Sequence, residues 1–186
     1  MLIFFGTFSL QQAITKREEC HNLVGKTHFY AGLCAGAAFA VWADLPLLDC
    51  AAAAAAGILG GLAPDLDHRK SKITQKTGMF GFVSSRMLKH RGVLHAPILY
   101  VVLAAVLFPC IGVYPLTRAA VCGLLAGALS HLFLDALNPS GIPLLWPLLK
   151  KRISLLPIQT GGRIDRLIGR LCLLGEAWCA VCAVLS

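Results

Sequence analysis

The hydrophobic positions fall into long runs, not into the alternating or one-faced patterns of a soluble domain. Apolar segments cover roughly residues 28–43, 46–64, 92–113, 119–137 and 167–185, with polar or basic stretches between them. A helix rises 1.5 Å per residue, so about 20 apolar residues cross a bilayer core. The runs predict an all-α polytopic membrane bundle of about five transmembrane helices, the first two near the short limit. Ala43-Asp44-Leu45-Pro46 reads as the turn between those two. Ala51 to Ala56, with Gly57, Gly60 and Gly61, give the second helix a small surface that a neighbour can approach closely. Residues 1–24 stand apart: a short apolar run, Leu2 to Leu10, and then polar Gln11 to Asn22. No basic stretch precedes that run and no small-residue cleavage site follows it, so an N-terminal extension is expected there, not a signal peptide. The membrane-embedded domain is expected over residues 25–186.

Composition agrees with the pattern. Hydrophobic residues make up 57% of the chain and charged residues 14%, where a soluble domain carries about 25% charged. Mean hydropathy is +0.72. The net charge of +8, from 17 Lys+Arg against 9 acids, adds orientation. Lys16, Arg17 and Lys26 precede the first run, and the 44–49 connection has no cation. Arg69, Lys70, Lys72, Lys76, Arg86, Lys89 and Arg91 follow the second run, and Arg118 stands alone after the third. Lys150, Lys151, Arg152, Arg163, Arg166 and Arg170 lie between the fourth and the fifth. By the positive-inside rule the N-terminus and both long loops are cytoplasmic and the C-terminus is outside. The basic excess then marks topology, and no nucleic-acid partner is expected.

Of the 8 cysteines, Cys34, Cys50, Cys110, Cys122, Cys172, Cys179 and Cys182 sit inside apolar runs, where a free thiol behaves as a small hydrophobe. Cys179 and Cys182 form a C-x-x-C without a second pair, in an apolar helix, and read as packing residues.

The topology gathers the chain's chemistry at one depth. His28 starts the first span; Asp65, Asp67 and His68 end the second; His90 and His95 flank the start of the third; His131 and Asp135 end the fourth. The histidines play no part in assigning the topology, yet all these residues reach the cytoplasmic boundary. His131 and Asp135, four apart, share a helical face. Asp65 and Asp67 follow Pro64, where the backbone can turn and aim both inward. His90 and His95, five apart, lie roughly 140° around an ideal helix and face together only if the helix begins between them, at Gly92. One interfacial histidine is an ordinary polar anchor, as Trp42 and Trp146 are, and Arg69 alone an ordinary charge partner. Glu176, in the last span, calls for a structural hydrogen bond. Eight imidazoles and carboxylates at one depth point instead to ligation. Nitrogen and oxygen donors without thiolate suit zinc, manganese or iron, as one ion or as a pair that clamps both oxygens of a displacement.

Three blocks of these residues carry a resemblance. Leu62-Ala63-Pro64-Asp65-Leu66-Asp67-His68 is similar to L-x-P-D-x-D-H, and His90-Arg91-Gly92-Val93-Leu94-His95 to H-R-G-x-T-H. Ser130-His131-Leu132-Phe133-Leu134-Asp135, running on through Asn138-Pro139-Ser140-Gly141 to Trp146-Pro147, is similar to S-H-x-x-x-D-x-x-T-P-x-G-x-x-L-x-W-P. With Thr27-His28 as the opening histidine, the chain resembles the YdjM family over roughly residues 25 to 170. The resemblance implies a membrane-bound metal-dependent hydrolase of a bacterial or archaeal inner membrane; one member of that family is under SOS (LexA) control. Its H-x-x-x-D block resembles that of zinc phospholipase C, which implies phosphoester substrates. Leu94 stands in place of a Thr, Ala96 of a Ser, Asn138 of a Thr and Asp165 of a Glu. The first two remove hydroxyls beside His95.

The expected protein is therefore a membrane enzyme with its polar site at the cytoplasmic interface. His28, Asp65, Asp67, His68, His90, His95, His131 and Asp135 are the expected metal ligands. Metal-activated water is the expected nucleophile, and Asp67 the carboxylate left to take its proton. Arg91, planar and permanently charged, is the expected stabiliser of a phosphate or oxyanion. A lipid phosphoester or small molecule is the expected substrate, with membrane lipid as partner. Residues 138–149, with Pro139, Gly141, Pro143, Trp146 and Pro147, are expected to form an interfacial lip. The alternative is a non-enzymatic protein that binds or transports a divalent cation. A transporter would want midplane ligands and repeats, and the chain has neither.

Overall fold

The computed structural model describes residues 25–67, 94–111, 114–149 and 151–185. Among these the chain is all-helical: α1 (residues 25–42), α2 (Leu47–Leu62) with a 3-10 turn over Ala63–Asp67, α3 (Pro97–Cys110), α4 (Pro115–Ala136) and α5 (Arg163–Leu185). Three segments, Leu47–Asp65, Pro115–Ala136 and Arg163–Leu185, are long and apolar enough to cross a membrane. The third apolar run, read as a span over 92–113, forms a helix of only 14 residues. Pro97 sets its start: proline suits the first helical position, and Ala96 before it is extended at φ −95°, ψ 121°.

The α1–α2 turn shows local sequence fixing geometry. Asp44 takes φ 50°, a left-handed conformation that Asp tolerates better than most residues. Leu45 N–H reaches back to Ala40 O at 3.1 Å and Asp44 N–H to Val41 O at 3.1 Å. This paired closure is a Schellman cap. Leu45 then packs on the buried cluster of Ala40, Cys50, Ala53 and Ala119.

Small residues let the helices meet backbone to backbone. Gly32 and Gly36 of α1 lie against Gly57, Gly61 and Ala53 of α2, and Gly60 and Gly57 lie against Leu124, Ala128 and Gly127 of α4. These contacts run α1 antiparallel to α2, and α2 parallel to α4. In lipid, where apolar side chains gain nothing by leaving one apolar medium for another, such close approach is what favours association. Helix α5 runs beside α1, with Gly169 near Thr27 and Gly175 near Cys34. Tyr100 of α3 packs on Ala128, Leu132 and Ala136 of α4. The arrangement brings the start of α1, the end of α2, the approach to α3, the end of α4 and the start of α5 to one end of the bundle.

Candidate metal centre

The α2–α4 pairing builds the site. Because Gly57 and Gly60 let the two backbones close up, the Gly61 carbonyl reaches His131 and accepts a hydrogen bond from its Nδ1 at 2.6 Å. With the proton on Nδ1, the Nε2 lone pair of His131 is left facing the site. That atom is fully buried and has no hydrogen-bond partner. Its neighbours are carboxylate oxygens: Asp135 Oδ2 at 3.6 Å and Asp65 Oδ1 at 3.9 Å. A buried lone pair aimed at two carboxylates repels them unless a cation lies between or the ring takes a second proton. The separations are too long for good hydrogen bonds. They suit atoms bound to one ion, since donors about 2.0–2.2 Å from it at near-tetrahedral angles stand roughly 3.5 Å apart.

Three more residues close the cluster. The ring of His28 stacks on that of His131 at 4.0 Å between centroids and brings Nε2 to 3.5 Å from Asp135 Oδ1. His95 sits in the turn before α3, edge-on to His131 at 5.5 Å, with Nε2 3.3 Å from Asp135 Oδ2. His95 thus precedes the helix; the arrangement in which a helix begins at Gly92 between His90 and His95 is replaced by a start at Pro97. Two trios have donor atoms all within 4.8 Å of one another: His28, Asp65 and His131, and His95, His131 and Asp135. They share His131, whose single free lone pair serves one ion only. The five residues could together hold an ion, with Asp135 oxygens 3.3–3.6 Å from all three imidazoles. These buried His/Asp groups fit a divalent metal by donor type, spacing and unsatisfied nitrogen.

The remaining expected residues are placed differently. Asp67 closes the 3-10 turn after α2, and its side chain lies outside the described part of the structure. His68, His90 and Arg91 lie outside the described residues. Glu176, for which a structural hydrogen bond is expected, is half-exposed on α5.

Sequence reasoning passed over several contributors. The Gly61 carbonyl orients His131, as an outer acceptor orients a ligating imidazole; the sequence signal for it is Gly57 and Gly60 beside Gly123-x-x-x-Gly127. The corresponding nitrogens of His28 and His95 are buried without partners, and the residues flanking His95, Leu94 and Ala96, carry no acceptor in their side chains. A small cavity of about 20 Å³, room for about one water, opens against His28 and Asp135. Asn138, Ile158, Thr160 and Asp165 line its far wall. Asn138 Nδ2 donates to Thr160 Oγ1, and Asp165 accepts from Gly161 N–H at 2.8 Å.

Comparison with known proteins adds a family. The model of the "YdjM inner membrane protein" family matches residues 23–185. The chain is 32% identical over 123 residues to "Inner membrane protein YdjM" of Escherichia coli (strain K12), covering 65% of this chain and 63% of that protein. It thus spans under two thirds of that relative's length. It is 33% identical over 149 residues to "Uncharacterized protein YvsG" of Bacillus subtilis (strain 168), covering 78% of this chain and 87% of that protein. No solved structure matches the chain at a significant level.

Proposed function

The chain belongs to the YdjM inner membrane protein family, and from that membership and its buried cluster we propose that it is a membrane-bound, metal-dependent hydrolase of phosphoesters. The observation that carries the reading is His131 Nε2: buried, unpartnered and pointed at two carboxylates. His28, Asp65, His95, His131 and Asp135 would hold one divalent ion, with zinc the first choice for an all-nitrogen-and-oxygen set. When bound, such an ion supplies Lewis acidity and makes water a better nucleophile.

The chain's own groups do the rest. Gly61 holds the His131 tautomer. Asp135 stands 3.3–3.6 Å from all three imidazole Nε2 atoms, where a shared ion would join them. The cavity walled by Asn138, Thr160 and Asp165 admits a water-sized group beside Asp135. Asp67, two residues after Asp65 in sequence, is assigned the proton-accepting role, and Arg91 the neutralisation of phosphate charge. His68 and His90 are the candidates for completing the shell or holding a second ion. The charge pattern of the loops supports a cytoplasmic position for this end of the bundle, with the N-terminus.

Metal analysis of the purified protein beside the Asp65→Ala/His131→Ala variant tests the site. Stoichiometric metal in the first and none in the second is expected; equal, substoichiometric metal in both refutes it. Turnover on phospholipids and phosphate monoesters, with and without chelator, tests the activity. Bound metal with no chelator-sensitive turnover on any of them would leave a non-enzymatic metal-binding protein.

A further inference from the structure

The loop joining α4 to α5 is firmly tied down and yet apolar on its outer side. Ile142 is 2% exposed and packs into the Tyr100 cluster. It pairs with Ile153 through two backbone hydrogen bonds, 3.1 and 2.8 Å. Arg152 donates to Gly141 O from Nε and Nη2 at 3.2 and 2.9 Å. Leu155 N–H reaches Ala136 O at 2.7 Å and Ile158 N–H reaches Leu137 O at 2.9 Å. Beyond that stem the turn over 143–149 reads Pro-Leu-Leu-Trp-Pro-Leu-Leu. Leu148 is 87% exposed, and Leu144, Leu145, Leu149, Leu155 and Leu156 are exposed as well.

The turn is also poor in free backbone donors. Pro143 and Pro147 have no N–H. Leu144, Trp146 and Leu149 donate inside the loop, to Ile142 O, Pro143 O and Leu145 O at 3.0, 3.2 and 2.9 Å. Little backbone polarity is therefore lost if the turn leaves water. An irregular turn cannot go deep into hydrocarbon, where every polar backbone group needs an internal partner. Exposed Lys151 and Arg152 stand at its stem and match the negative surface of a leaflet rich in anionic lipid.

We infer that the 143–149 turn is seated at the headgroup–acyl boundary of an anionic leaflet, with its leucines among the chains and Lys151 and Arg152 at the phosphates. The same loop supplies Asn138, Ile158 and Thr160 to the cavity that meets His28 and Asp135. Its seating holds the mouth of the site at phosphate depth. The substrate class that follows is an acylated phosphoester drawn sideways from the bilayer, in preference to a water-soluble one. This substrate assignment rests on the hydrolase reading; the seating does not.

Two measurements separate them. Trp146 is left as the only tryptophan by Trp42→Phe/Trp178→Phe, and the protein is reconstituted in phosphatidylglycerol-containing vesicles that carry brominated phospholipids. Blue-shifted Trp146 emission, quenched most by bromines near the headgroup, is expected. Quenching by aqueous iodide and not by bromines, or strongest quenching by bromines at the chain ends, overturns the seating. The Leu148→Asp/Leu149→Asp variant is then expected to lose about tenfold or more of its turnover on vesicle lipid, with turnover on p-nitrophenyl phosphate and metal content unchanged. Equal loss on both substrates overturns the substrate assignment. Wild-type protein inactive on both refutes the hydrolase reading, and with it the substrate class, while the quenching result stands by itself.

Discussion

Gly60→Ala tests whether helix packing sets the metal site. A Cβ at Gly60 would overlap the carbonyl oxygen of Leu124 and stand 2.8 Å from its carbon and 2.9 Å from Ala128 N. All three are backbone atoms of α4, so no side chain can swing aside. Carbon contacts normally settle at about 3.5–4.0 Å, so α2 and α4 must part locally by roughly 1 Å. The adjacent Gly61 O accepts from His131 Nδ1 at 2.6 Å; stretched by that amount, the contact is no longer a hydrogen bond. Overpacking costs about 1–3 kcal/mol and the lost bond about 0.5–1.5 kcal/mol. Without its outer acceptor His131 is free to turn, and metal affinity is expected to fall about 10–100-fold. Competition with a chromophoric chelator on the purified protein measures this directly. Gly25→Ala is the control, because its Cβ meets nothing within 4 Å. A Gly60→Ala protein that binds metal within about threefold of wild type would refute the coupling of packing to ligation.

Other outcomes follow from the same geometry. Ile142→Ala empties a fully packed position and should cost about 2–5 kcal/mol, seen as a lower melting temperature and faster proteolysis between residues 138 and 162. Cys179→Ser/Cys182→Ser should leave metal stoichiometry unchanged, because no cysteine belongs to either ligand trio; a drop in bound metal would reassign that pair. Metal affinity should fall as pH is lowered, since protons compete for the imidazole nitrogens; a chelator titration flat between pH 8 and about 5.5 would exclude histidine ligation.

Legibility in the sequence followed the nature of each signal. Long apolar runs announced α2, α4 and α5 because length and hydropathy are properties of a segment by itself. The third run misled because hydropathy is blind to Pro97, whose ring fixes where α3 starts. The gathering of His28, Asp65, His95, His131 and Asp135 was readable because charge alternation in the loops fixes which helix ends share a depth. The Gly61 carbonyl was not, since every residue has a carbonyl and only the tertiary approach of α4 selects this one. The G-x-x-x-G spacing of Gly123 with Gly127, facing Ala53 and Gly57, carries the sequence signal for that approach. The Asn138–Thr160 pair joins residues of one irregular loop, where no periodicity exists to read.

The donors of the ion site come from four stretches of chain that adjoin only after the bundle has closed. A divalent ion held there would stabilise the finished assembly and no earlier stage, because anything that binds only the native arrangement stabilises it by mass action. If the site is filled in the cell, metal supply would bear on maturation, since a chain with one helix misplaced would forgo that stabilisation. Pulse-chase turnover in metal-starved cells should accordingly show a shorter half-life for the wild-type chain and no change for Asp65→Ala/His131→Ala.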